Sequence, residues 1–291
     1  MNDPNLSLEL NPVSGPAAKL IGAVRDAVGI PNAPVPAQGR KKSKATVKTR
    51  SNGGVEAPAF LARGKTPSAI ELRASERLAR REIRRQENIE QITKKAVDAL
   101  PASVSAEPAD GAGIGCFVES CQDATDEQMR TFWARMLAAE VATPGSISLR
   151  AVRAVREMAP GELAQFAGLC QFVWVIQGFG LAPVIQDLAS PCFAEAGLVP
   201  ETFPQLAALG LISFNEAGSY GLQKFSGTTA FYYGRSHAVS APTGGRELLL
   251  GRALLTSVGK ELAPHAGSAG HEAYRASVVA QWRASGLNVQ E

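Results

Sequence analysis

The fold is decided by residues 126–150, DEQMRTFWARMLAAEVATPGSISLR. Large apolar side chains recur in this stretch every three or four residues, which is typical of a helix with one buried face. These side chains are Met129, Phe132, Trp133, Met136, Leu137 and Val141. A helix of this kind needs other elements to cover its apolar face. The stretch therefore predicts a core that is built around one helical hairpin.

The ends of the hairpin helices are also marked in the sequence. Thr125 and Gln128 have the spacing of a capping box at the start of the first helix. The Pro144-Gly145 pair ends that helix, because proline and glycine do not continue one. Ser146 or Ser148 is expected to cap the second helix, since a serine hydroxyl accepts from free backbone N–H groups.

Glu140 lies at the edge of the apolar face, four residues after Met136. A buried carboxylate is unstable unless it has a partner, and Arg135 or Arg150 could supply one. We expect Glu140 to form an ion pair that ties the two hairpin helices together. A functional role for the carboxylate is the alternative. Trp133, Pro144 and Gly145 complete the structural motif.

A long charged helix is predicted before the hairpin, from Ser68 to about Leu100. Four of its arginines repeat every fourth residue along one surface: Arg73, Arg77, Arg81 and Arg85. Like charges at this spacing repel each other. The row is therefore a candidate binding surface for nucleic acid or for an acidic partner protein. A solvated helix face is the alternative.

Residues 1–67 have the composition of a disordered basic tail and linker, with one short helix predicted around Leu20 and Val24. Residues 40–50 form a run of Lys and Arg without an acid. Residues 40–95 together hold 16 Lys/Arg and 6 Glu, a net charge of +10, whereas the whole chain carries +3. This asymmetry indicates a basic segment attached to a mildly acidic body.

The rest of the chain is expected to form a helical core over residues 115–190 and a small α+β module over residues 198–285. Residues 162–187 contain an uncharged stretch, which the glutamines and glycines within it identify as a buried helix, a turn and a second helix rather than a membrane span. Short strand-like runs follow a helix that ends at Gly210, and this order is typical of a winged-helix-like geometry. A plain α+β appendage that completes the core is the alternative. The predicted fold class is mainly α.

The sequence contains no recognisable catalytic, metal-binding or cofactor-binding motif. His265 and His271 are out of helical register, the four cysteines are too few for a disulfide scaffold, and no nucleophile elbow or phosphate-binding loop is found. We therefore predict no catalytic residue, cofactor or metal, and no enzyme activity. The first ten residues lack the basic flank and apolar run of a signal peptide, so a cytoplasmic location is expected.

Three motifs resemble an uncharacterised bacterial family, domain of unknown function 2806. The first motif is matched by Arg84, Gln86, Asn88, Ile89 and Glu90. The second is matched by Trp133, Ala134, Leu137, Ala138, Glu140, Pro144, Gly145, Ser146, Ser148 and Arg150. The third is Leu209, Gly210, Leu211 and Ile212. The resemblance covers about residues 70–265.

That family is similar to the alpha-type abortive-infection proteins, which are associated with bacterial defence against phage. The resemblance implies no catalytic residue. Together with the arginine row, it favours a non-enzymatic protein that contacts nucleic acid or a partner protein through its basic helix, with a role in phage defence. The alternative is a self-associating structural or signalling protein whose charged helix mediates oligomerisation.

Overall fold

The computed structural model describes residues 15–28, 68–108, 110–242 and 245–291. The basic run at 40–50 and most of the predicted tail lie outside these ranges. The helices are α1 (Pro16–Val28), α2 (Ala69–Asp98), α3 (Gly111–Cys121), α4 (Glu127–Ala142), α5 (Leu149–Glu157), α6 (Pro160–Cys170), α7 (Pro191–Glu195), α8 (Thr202–Ala208), α9 (Ser257–Leu262) and α10 (Glu272–Ala284). A 3₁₀ turn, Ala263–His265, follows α9.

The strands are β1 (Val173–Ile176), β2 (Gly180–Pro183), β3 (Ile212–Phe214), β4 (Tyr220–Phe225), β5 (Gly227–Tyr232), β6 (Arg235–Ser240), β7 (Arg246–Gly251), β8 (Ala253–Leu255) and β9 (Asn288–Gln290). Five of them form one antiparallel sheet in the order β2-β1-β5-β6-β9. Two further antiparallel ribbons pair β3 with β8 and β4 with β7.

The predicted fold class, mainly α with a winged-helix-like module, is wrong. Of the described residues, 53% are helical and 18% lie in strands, so the fold is mixed α/β. The individual strands after residue 210 lie close to where the sequence places them. Their assembly differs, because β1 and β2 add to the same sheet through the pairing of Val175 with Phe231.

The hairpin of β1 and β2 replaces a predicted helix pair. The uncharged stretch after Glu162 does continue as helix α6, but only to Cys170. The next apolar run, Val173–Ile176, contains β-branched and aromatic residues, which fit a pleated and partly buried surface. Gly178 and Gly180 follow, with φ of 83° and 99°. Glycine adopts positive φ values without strain, so these residues allow the chain to reverse its direction between β1 and β2.

Helix α4 is the centre of the helical half and confirms the periodicity that predicted it. Trp133 is buried and meets the ring of Phe117 from α3 edge-on, with ring centroids 5.0 Å apart. The first turn is capped by Asp126, whose Oδ1 accepts from the backbone N of Met129 at 2.8 Å. The cap is thus one residue later than Thr125, because the Asp126 carboxylate accepts from the free N–H group at this helix end.

The predicted short helix near the N-terminus is present as α1 and belongs to this core. Leu20 and Val24 are buried against it. The ammonium group of Lys19 donates to the backbone oxygens of Ser105 and Val141 at 2.9 and 3.1 Å. Val141 lies in the last turn of α4, where free carbonyls and the helix dipole both favour a cation.

The inner face of the five-stranded sheet packs on α10. Trp174 of β1 lies between Tyr232 of β5 and Trp282 of α10, with ring centroids 4.8 and 4.9 Å away. Tyr274 of α10 donates from its hydroxyl to the backbone oxygen of Val184, the residue that follows β2, at 2.7 Å. Aromatic rings from two strands and one helix thus form the core of this half.

The uncharged stretch also raised the question of a membrane span. Among the described residues, no helix has both the length and the apolar character that crossing a bilayer requires.

One buried polar group in the sheet core makes the stability of the fold sensitive to pH. His237 on β6 is fully buried, and its Nε2 lies 3.4 Å from the guanidinium of Arg275. Burial lowers the pKa of His237, and the charge of Arg275 lowers it further; Glu291 opposes this shift, whereas Arg235 and Arg283 add to it. The imidazole is therefore held neutral in the folded state.

This environment predicts a loss of stability in weak acid. The unfolded chain takes up a proton at His237 near pH 6.5, whereas the folded chain does so only at lower pH, so the free energy of unfolding falls as pH drops below about 6.5. Burial and Arg135 lower the pKa of His265 in the same direction. Urea unfolding at pH 7 and pH 5 should show a smaller difference for His237→Gln than for the parent. An unchanged difference would contradict this account.

Candidate functional site

Helix α2 consists of two halves with different surroundings. In its second half, Asn88, Ile89, Ile92 and Ala96 are buried against the core. Between Ala69 and Arg84, all of which the structure describes, no side chain is buried. We call residues 69–84 the α2 arm. At 1.5 Å per residue the arm is about 24 Å long, and it stands clear of the body of the protein.

The start of the arm is fixed by a capping box, as the sequence predicts for a helix from Ser68. The backbone N of Ser68 donates to the carboxylate of Glu71 at 2.6 Å, and the N of Glu71 donates back to the Ser68 hydroxyl at 3.4 Å. These bonds satisfy free N–H groups at an exposed helix end. The arm is thus a complete helix to its first residue.

The end of the arm is fixed by Arg85, the fourth member of the predicted arginine row. Its guanidinium donates to both carboxylate oxygens of Asp123 at 2.9 and 2.8 Å, and 22% of its side chain is exposed. The hydrogen bonds from Arg85 lower the pKa of Asp123. Arg85 therefore attaches α2 to the turn after α3 and is not available to a ligand.

The other three members of the row differ in their partners. Arg81 donates to the neighbouring Glu82 at 3.1 Å. Arg73 and Arg77 form neither a hydrogen bond nor an ion pair with any described residue, and the same holds for Arg84, which the sequence analysis did not include. Arg73, Arg77 and Arg84 thus form no close ion pair with a described residue, although the positive charge of Arg84 helps to lower the pKa of Asp123.

These unpaired arginines lie on one side of the arm. At about 100° per residue, they fall with Arg80 within about 60° of the helix circumference and span about 16 Å along the axis. Together with Glu76 and Arg81 they line a shallow depression of about 440 Å³. We call Arg73, Arg77, Arg80 and Arg84 the arginine strip. Guanidinium groups in such a line can donate paired hydrogen bonds to successive phosphates or carboxylates.

A second basic surface lies on α5. Arg150, Arg153 and Arg156 are exposed on this helix and form no ion pair within the described ranges. The three residues recur at three-residue spacing, as on one helix face. Unlike the arm, α5 lies against the body, where Ala151, Val152 and Val155 are buried.

Glu140 does not form the predicted ion pair. Neither Arg135 nor Arg150 lies within 4 Å of its carboxylate, within the part of the chain that the structure describes. The Glu140 oxygens instead accept from the backbone N of Gly145 at 2.8 Å and of Ile147 at 2.9 Å. The side chain is 8% exposed and satisfies the backbone of the turn. Its role is structural, as expected, but its partners are amides and not a guanidinium.

The remaining members of the hairpin motif act on the same turn. Gly145 has φ of 82°, which a residue with a side chain adopts only with strain. Ser148, one of the two predicted caps, accepts from the N of Ala151 and begins α5. Glu261 of α9 accepts from the N of Ser148 at 2.9 Å, which links the turn to the C-terminal half.

Three side chains with reactive chemistry are buried or serve as a helix cap. Burial raises the pKa of the Cys121 thiol to about 12, and it raises that of Cys170 as well. His271 caps α10 by accepting from the N of Tyr274 at 3.2 Å. In the described ranges, no three His, Cys, Asp or Glu side chains are grouped so that they could hold a metal ion.

The model of a protein family of unknown function, DUF2806, matches residues 72–279. The chain belongs to this family. No curated protein and no solved structure matches it. The match begins in the α2 arm and ends in α10, so the DUF2806 region includes both the helical half and the five-stranded sheet up to β6.

The first DUF2806 motif contains a docking residue that the sequence reasoning missed. Asn88 is buried and donates from its side-chain amide to the backbone oxygens of Gln122 and Ala124 at 2.9 and 3.0 Å. Arg130 of α4 donates to the Asn88 oxygen at 3.4 Å. The position of Asn88 within an apolar helix stripe could have predicted this contact, because a buried polar residue needs a hydrogen-bond partner. Asp123, in a loop, gave no such signal.

The geometry at Glu140 predicts a large effect of its removal on stability. Glu140→Ala leaves the Gly145 and Ile147 amides without an acceptor, which should lower the free energy of unfolding by about 2 to 3 kcal/mol. Glu140→Gln keeps one oxygen and should cost less. Chemical denaturation measures both. Glu157→Ala is the control, since that carboxylate is exposed; equal losses in Glu140→Ala and Glu157→Ala would contradict the capping role.

Proposed function

We propose that this protein binds nucleic acid through the α2 arm, with the arginine strip contacting backbone phosphates and without catalysing a reaction. The observation that carries this proposal is the line of Arg73, Arg77 and Arg84, which form no hydrogen bond or close ion pair with a described residue and lie on a helix half without a buried side chain. Like charges held together without counter-charges repel each other, and a polyanion would relieve that repulsion.

The dimensions of the arm fit this role. An α-helix with its side chains is about 10–12 Å wide, and the major groove of B-DNA is about 12 Å wide. The arm can approach a groove because none of its side chains is buried among the described residues. Phosphate contacts carry no sequence information by themselves, so we propose binding with little sequence preference. The basic run at residues 40–50 precedes the arm in the sequence and would add further positive charge.

An acidic protein surface is the competing ligand. Carboxylates also accept from guanidinium groups, but the strip offers a regular line of cations about 16 Å long, and a nucleic-acid backbone supplies a regular line of anions. A cytoplasmic location and a role in phage defence remain predictions. The second rests on the resemblance of the family to abortive-infection proteins.

Salt dependence tests the proposal directly. Fluorescence anisotropy with short DNA and RNA duplexes and single strands should give an affinity that falls steeply with salt, because phosphate contacts release counterions. In R73E/R77E/R84E the affinity should be largely lost. For the milder Arg→Ala versions, the slope of log affinity against log salt should decrease by about 1 per arginine.

The matched control is R150E/R153E/R156E on α5, which makes the same change in charge on an exposed helix face elsewhere. It should lower the affinity far less than R73E/R77E/R84E. Equal losses in the two variants would show that net charge alone attracts the nucleic acid. If the parent does not bind at low salt, the strip is not a nucleic-acid site, and an acidic protein becomes the ligand to seek.

A further inference from the structure

A different side of the α2 arm carries exposed apolar residues. Leu72 is 56% exposed and Ile83 is 51% exposed, although such side chains are usually covered. With Ala79 they fall within about 40° of the helix circumference at 100° per residue. We call Leu72, Ala79 and Ile83 the apolar line. It lies about 110° around the helix from the centre of the arginine strip.

A partner for the apolar line would stabilise the arm. Most of the stability of a helix in a protein comes from packing of its apolar face, and no side chain of the arm is buried among the described residues. The ion pair of Arg80 with Glu76 contributes little at an exposed site. Burial of Leu72 and Ile83 against another apolar surface would provide the missing stabilisation.

We propose that the α2 arm pairs antiparallel with the α2 arm of a second copy of this chain, through the apolar line. A two-fold axis between residues 77 and 78 places Leu72 of one copy opposite Ile83 of the other, and this contact occurs twice. The same register brings Glu76 within one residue of the position opposite Arg80 of the second copy, so the charges beside the seam are complementary.

The antiparallel direction follows from where the arm is free. The body of the protein begins at Arg85, which is bonded to Asp123, and no side chain between residues 69 and 84 is buried by the described part of the chain. In the proposed register, residue 84 lies opposite residue 71 of the second copy. The two arms therefore overlap along their uncovered length, and the two bodies lie at opposite ends. A parallel pair would place Glu76 opposite Glu76, and like charges at a helix seam repel.

Pairing in this way also affects the arginine strips. A two-fold axis perpendicular to the plane of the two helices brings both strips to the same side of the pair. The dimer would then present twice the number of arginines to one polyanion. This last consequence rests on the function proposed above; the pairing itself does not, because it uses a different side of the helix.

Sedimentation velocity over a range of concentrations tests the pairing. The parent should approach twice the mass of the 30.6 kDa chain, whereas L72Q/I83Q should stay monomeric at the same concentrations. Glutamine is a good helix former and leaves the charge unchanged. The matched control is I70Q/L149Q, which replaces two other exposed apolar residues, 68% and 48% exposed, away from the line and should keep the dimer mass.

Cross-linking tests the direction. With a short bis-maleimide, L72C/I83C should form covalent dimers, whereas L72C alone should not, because the two Leu72 positions lie about 16 Å apart along the antiparallel pair. The parent, with its four native cysteines, gives the background. Efficient dimer formation by L72C alone would overturn the antiparallel arrangement.

Two other results would overturn the pairing itself. One is a monomer at every concentration, and the other is a monomer in which the L72C thiol is protected from maleimide, which would show that the chain covers its own apolar line. Neither result bears on nucleic-acid binding. Conversely, R73E/R77E/R84E should keep the dimer mass while losing its affinity, so failure of either proposal can be recognised separately.

Discussion

The helical half of the structure depends on how α4 ends. This helix is buried along its length, and α1, α2, α3 and α6 all contact it. Its last turn must reverse sharply so that α5 can return to the body. The carboxylate of Glu140 makes this possible, because it accepts from the Gly145 and Ile147 amides that the turn leaves without partners. A buried charge that accepts two backbone hydrogen bonds is thus a part of the fold and not a reactive group.

The two halves of α2 differ in their tertiary contacts. Asn88 and Arg85 bond to residues 122–124, and beyond them towards the N-terminus no described side chain of the helix is buried. Helices of this length are held mainly by packing, so an uncovered arm with both a cationic strip and an apolar line is suited to contacts with other molecules. The two proposals assign a different partner to each of these two sides.

Periodicity predicted the helices well because it depends only on local spacing. The apolar spacing in 126–150 and the composition around Ser68 placed α4 and α2 almost correctly, and Gly210 marked the end of α8. The same reasoning failed at Val173–Ile176, since a short apolar run fits a buried helix as well as a strand. This run forms a strand because it pairs with β2 and β5. Strand β5 lies more than fifty residues further along the chain.

The sequence by itself determined the family, the long charged helix and the helical hairpin, because motifs and local spacing are sufficient for these. Only the tertiary structure decided which arginines are available: Arg85 is bonded to Asp123, whereas Arg84 is unpaired, and these neighbours are chemically identical in the sequence. It also replaced the expected guanidinium partner of Glu140 with backbone amides. The partners of these charged groups follow from the way in which the chain packs. Residue spacing in the sequence does not predict that packing.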